Sequence, residues 1–212
     1  MNIKKCIAGL CVLGGMLFSM SPTTAHADSP ITSTNFYQAY SDVQIVEKAR
    51  EKGVLDEEIA NYLHSSENPI DVKAAVINAL GWRYEGKHNA EDYLKLFYSD
   101  SMNNLDLDSI DSDELFCIGY MMALDDYFNV ERALPFMEKA YEKNNTSFTV
   151  SMIRNIVKEQ SEMSSGHWGN VWANTKKVLD DKTLTRDMKQ GAIDIIVDYM
   201  KLYEKIPAEM AS

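Results

Sequence analysis

Downstream of residue 27 the chain carries three histidines, His64, His88 and His167, and a single cysteine, Cys117. No histidine has a second histidine or a cysteine at ligand spacing, and neither His-Glu-x-x-His nor Cys-x-x-Cys occurs. No zinc or other metal site is therefore expected. Cys117 sits in the apolar run Leu115-Phe116-Cys117-Ile118, where a buried, inert thiol is expected. Nucleophilic catalysis has no Gly-x-Ser-x-Gly elbow, and Ser164-Ser165-Gly166-His167 does not replace one. No Gly-x-x-x-x-Gly-Lys loop cradles a phosphate. The residues give no catalytic set and no cofactor.

Carboxylates are abundant, and most are read as a solvated face. Asp106, Asp108, Asp111 and Asp113 imitate a calcium loop. Aligned as an EF-hand from Asn104, however, the loop puts Ser109 at the turn glycine and Leu115 at the bidentate glutamate. Asp111 as N-cap with Glu114 three residues later, a capping box, accounts for the pattern better. Adjacent pairs such as Glu57-Glu58 and Asp125-Asp126 do not face each other on a helix.

Residues suited to binding are better represented. Tyr120 and Tyr127, seven apart, flank Asp125 and Asp126 and predict a mixed aromatic and acidic patch. Trp168 and Trp172, four apart beside His167, share a face if helical and suit a peptide or sugar ring. These seven residues are the expected partner-binding set, and the partner they suit is a protein or peptide, basic in the sharper version. The alternative is a carbohydrate hydrolase whose two acids lie near Trp168 and Trp172.

The elements that must position these side chains read as helices throughout. Gly53 ends one segment as a C′ residue. Asp56, Glu57 and Glu58 open the next with acids in the first turn. Asn68-Pro69, Asn89 and Asn129 read as further helix starts. No segment alternates with period two. The expectation is an all-α fold of about nine antiparallel helices. They form pairs near 42–64, 69–98, 113–143 and 147–180, followed by a last helix over 185–205.

The segment Ala133 to Tyr141 resembles the second helix of a tetratricopeptide repeat. Ala133 and Ala140 fall at its small positions and Phe136-Met137 at the bulky one. Ile118-Gly119 and Met122 resemble positions of the first helix. The connection at Leu124 to Phe128 is about two residues longer than the motif's, and Asn145 replaces its closing proline. The pairs 42–64 and 69–98 are similar to armadillo- or HEAT-type pairs. The resemblance implies an α-solenoid-like stack that presents a curved binding surface.

Residues 1–27 read as a secretory signal peptide. Lys4 and Lys5 precede the apolar run Ile7 to Met20, and Pro22 precedes Ala25-His26-Ala27, a small-x-small cleavage site. Ala8-Gly9-Leu10 before Cys11 is in the wrong order for a lipid anchor. One all-helical domain over 28–212 is expected, exported to a bacterial periplasm or beyond, with no stable membrane anchor. The 212 residues carry a net charge of −11. Losing the leader removes two lysines and no acid, which makes the remainder still more acidic. Such a surface does not suit nucleic acid or anionic lipid. These observations predict an exported, non-enzymatic protein-binding module, such as an envelope immunity, inhibitor or assembly protein.

Overall fold

The computed structural model describes residues 29–98 and 105–206. The expected leader, with Cys6 and Cys11, and Asn104 of the rejected calcium loop lie outside the described residues. The described chain is all-α. After α1 (Pro30–Ser33) and a 3₁₀ turn (Phe36–Tyr40) come α2 (Gln44–Lys52), α3 (Glu57–His64), α4 (Ile70–Leu80) and α5 (Asn89–Phe97). Then follow α6 (Ser112–Asp125), α7 (Leu134–Lys143), α8 (Phe148–Ser164), α9 (Val171–Asp180) and α10 (Gln190–Met200). Short 3₁₀ turns at Val130–Arg132, Trp168–Asn170 and Lys201–Tyr203 precede α7, precede α9 and follow α10.

From α5 to α10 each helix packs on the next in sequence. At the centre lies α4, whose residues Lys73 to Leu80 are all buried, against α2, α6 and α8. A mostly apolar helix needs such company, and its buried Lys73 and Asn78 are paired with Asp113 and with Tyr120. The first described elements also pack on later ones: α1 touches α8 and α10, and the Phe36–Tyr40 turn packs on α4 and α10.

The tightest neighbours are α6 and α7, and Gly119 is the reason they approach. A β-carbon there would lie 2.9 Å from both Met137 Sδ and Phe136 Cβ. Gly119→Val is expected to cost roughly 1–3 kcal/mol by overpacking. The readout is a lower urea midpoint at unchanged slope, and an unchanged midpoint would refute it.

Helix ends follow the sequence in part. Gly53 caps α2 at φ 62°, its N–H returning to Ala49 O at 2.9 Å. Asp56 caps α3 through Ile59 N–H, and Asp111 caps α6 through Glu114 N–H, both at 2.9 Å. Three asparagines do otherwise. Asn68 donates to Tyr62 O and leaves Pro69 at the N-cap of α4. Asn89 is already helical, its Oδ1 accepting Leu55 N–H. Asn129 precedes a 3₁₀ turn rather than α7.

The last helix begins at Gln190, not at 185. Thr185 instead forms an isolated bridge with Ser147. The Asp187 carboxylate takes Ser147 Oγ–H at 2.6 Å and Thr149 N–H at 2.8 Å. Those polar groups are occupied in closing the start of α8, so residues 185–189 are not free to coil.

Candidate functional site

A cleft of about 450 Å³ opens where the α4–α5 loop meets the end of α6. Tyr84 to His88 of that loop form one wall. The first turn of α5 supplies Glu91, and the end of α6 supplies Met122, Asp125 and Asp126. Arg132 closes the far side from the 3₁₀ turn before α7.

Asp125 binds the two walls together. Its carbonyl accepts Lys87 N–H at 2.9 Å, and its Oδ2 accepts Ala90 N–H at 2.8 Å. Local sequence assigns the cap of α5 to Asn89. In the fold that role passes to a carboxylate from another helix, where the positive end of the helix dipole holds it. Gly86 is at φ 82°, with Asp125 O only 3.1 Å from where a β-carbon would stand, so the close approach requires glycine. Asp125 is only 7% exposed and its Oδ1 has no hydrogen-bond partner. Burial raises its carboxyl above the usual range against the pull of the α5 amides and Lys87.

Lys87 turns away from the opening. Its ammonium binds Gly53 O at 2.7 Å and Leu80 O, the carbonyl ends of α2 and α4. Burial and then Arg83 push it down to about 8. Its charge serves the fold, which leaves the opening with more acid than base: Glu85, Glu91, Asp125 and Asp126 against Arg132. His88 stands 3.6 Å from Glu91.

An aromatic row runs from the core to the rim. Trp82 donates its indole N–H to Thr32 O and meets Tyr127 edge-on at 4.9 Å. Tyr127 lies 4.2 Å from Phe128, and Phe128 meets Tyr84 edge-to-face at 5.7 Å and 89°. Tyr84 is 73% and Phe128 55% exposed.

The seven residues singled out from sequence fall into three groups. Asp125 and Asp126 line the cleft. Tyr120 does not reach the surface patch expected for it. It is fully buried, and its hydroxyl accepts Asn78 Nδ2–H, because α6 is packed on nearly every side. Tyr127 is also interior, at 4% exposure, and acts as the link between Trp82 and Phe128.

His167, Trp168 and Trp172 belong to the corner of α8, α9 and the C-terminal turn. His167 is 3.1 Å from Glu162, Trp168 is 6.2 Å from the Tyr203 ring, and Lys201 lies 5.7 Å over Trp172. Trp168 sits in a 3₁₀ turn and Trp172 in α9, so the single helical face expected of them is interrupted.

Tyr84 and Phe128, the most exposed aromatics among the described residues, were missed because they lie in loops, where periodicity says nothing. The available signal was an aromatic between Gly81 and Gly86, and a second aromatic following a helix end. Cys117 is buried, and burial pushes its thiol well up, away from nucleophilic use. Among the described residues no group of three His, Cys, Asp or Glu side chains is placed to hold a metal ion. None of the described helices is long and apolar enough to cross a membrane. No protein-family model, curated protein or solved structure matches the chain.

Proposed function

We propose that the chain is an exported, non-enzymatic protein-binding module and that the aromatic-edged cleft is its contact site. The observation that carries this reading is the Tyr84–Phe128 pair, two large rings held edge-to-face and left to solvent beside four carboxylates. Aromatic side chains exposed as a rigid pair bury much area at little entropic cost when a partner covers them. The acidic opening and the net charge of −11 suit a partner with a basic face. The resemblance of Ala133 to Tyr141 to a tetratricopeptide helix agrees with a binding role. An envelope immunity, inhibitor or assembly protein would fit this description.

The test is affinity capture with the tagged chain, expressed from its full sequence in its own host, with release followed against salt. A stoichiometric partner that elutes with salt is expected. A Tyr84→Ala/Phe128→Ala variant should hold it at least tenfold more weakly, since central aromatic anchors are worth about 2 kcal/mol or more. The variant's thermal midpoint should stay within a few degrees. A partner retained by the double variant but lost on Trp168→Ala would move the contact to the α8–α9 corner and overturn the assignment.

A further inference from the structure

Asp125 is the part of the cleft that the protein-binding reading leaves unexplained. A buried carboxylate normally fills both oxygens with donors. Here the α5 amide at Ala90 holds Oδ2, while Oδ1 is closed to solvent with no hydrogen-bond partner. The protein's own nearest ammonium cannot serve, because Lys87 Nζ is held by Gly53 O and Leu80 O. The neighbouring Asp126 is half-buried and lines the same opening, its Oδ2 receiving only Asn129 Nδ2–H at 2.9 Å among side chains. Met122, an adaptable thioether, and the exposed Tyr84 line the same cleft, and the exposed Phe128 packs edge-to-face on Tyr84 beside it.

We infer that the cleft takes the guanidinium of an arginine side chain carried by the partner. Asp125 and Asp126 receive its N–H groups, and Tyr84 and Phe128 cover its stem. This inference rests on the protein-binding reading and names what is bound. Arginine fits better than lysine for two reasons. Its planar head carries five donors, enough for two separate carboxylates at once. It also stacks on aromatic faces, which a compact ammonium does less well. Oδ1 is closed to solvent, so a lining side chain must shift for the head to reach it, and the flexible thioether of Met122 is suited to that movement. Arg132 on the far wall repels a second cation, which limits the cleft to one such head.

The experiment uses ¹⁵N-labelled protein titrated with N-acetyl-arginine-N-methylamide, and separately with the citrulline analogue, which has the same shape without the charge. The arginine probe should shift the Asn89 and Ala90 amide resonances saturably, at least tenfold more tightly than the neutral probe. Asp125→Asn keeps an acceptor for Ala90 N–H, and Asp126→Asn changes a group at the opening. Each should weaken the arginine probe about tenfold while leaving the amide spectrum otherwise native.

Equal binding of the two probes, or shifts that avoid Asn89 and Ala90, would overturn the inference. If the double aromatic variant loses the macromolecular partner while the arginine probe stays silent, this inference fails and the binding reading stands. If the probe binds at Asn89 and Ala90 but the partner ignores Tyr84 and Phe128, the inference about the cleft's chemistry holds and the partner-contact assignment falls.

Discussion

Replacing Glu114 by alanine is expected to cost the fold about 3–4 kcal/mol, the range for removing one partner from a buried charged network. Glu114 is 4% exposed on α6. The Tyr93 hydroxyl reaches both of its oxygens at 2.8 Å, and the Tyr98 hydroxyl donates to Oε2 at 2.9 Å. His64 Nδ1 stands 3.0 Å from Oε1, and its ring stacks on Phe97 at 4.0 Å. One carboxylate thus ties α3, α5 and α6 together.

Alanine removes the acceptor and leaves a buried phenol, a half-buried phenol and an imidazole without it. At 2–4 °C per kcal/mol for a chain of this length, the thermal midpoint should fall by about 6–16 °C. Tyr98→Phe, which deletes one donor and leaves the acceptor served by others, should cost only about 1 kcal/mol. A drop for Glu114→Ala no larger than that of Tyr98→Phe would show that the network is not a tie.

Glu159→Gln should do the opposite and stabilise the protein at neutral pH. Glu159 on α8 is 1% exposed, its Oε1 accepts Asn174 Nδ2–H at 3.0 Å, and its Oε2 has no partner. Burial, reinforced by Glu162, raises the carboxyl to about 7, with Asn174, Lys158 and Lys177 pulling the other way. A glutamate of the unfolded chain titrates near 4.3.

The folded state therefore binds the proton more tightly. This group's stabilising contribution is fully present below the unfolded pKa. It is lost as pH rises to about 7 and stays lost above that. Glutamine imitates the protonated form at every pH. The variant should exceed the parent by roughly 1–3 kcal/mol at pH 8 and match it near pH 4. Urea midpoints of both proteins from pH 4 to pH 8 check this, because the difference between the curves removes the titrations they share. A pH-independent difference would refute it.

Local signals gave the fold class and several helix ends. Apolar residues at helical spacing, Gly53 after α2, Asp56 before α3 and Asp111 before α6 each act within about one turn. A short-range pattern is enough to specify them. Cys117 was legible for the same reason, in a run of apolar neighbours. The errors come where a polar side chain had a distant competitor. Asn89 has the composition of a cap, but Leu55 N–H claims its oxygen and Asp125 supplies the cap. Glu114 has the spacing of a capping box, yet its carboxylate goes to two tyrosines from α5 and the loop after it. Thr185 and Asp187 sit in what reads as a helix, and Ser147 and Thr149 draw them away.

The candidate site shows the same division. Sequence alone identified Asp125 and Asp126 as acids in an aromatic neighbourhood, since composition and spacing suffice for that. It placed Tyr120 on the surface and overlooked Tyr84 and Phe128. Which ring is buried depends on whether another helix covers it, and loops have no period to read. By itself the sequence determined that this is an acidic, all-helical chain without the usual parts of a metal site, a nucleophile or a phosphate loop. Tertiary packing settles that α4 and α6 are enclosed on nearly every side, that α1 and the Phe36–Tyr40 turn pack on α10, and that Asp125 caps a helix it does not belong to. The physical reason is range: helices and caps are fixed by neighbours a few residues away, whereas burial and the pairing of buried polar groups are fixed by partners 30 to 150 residues distant.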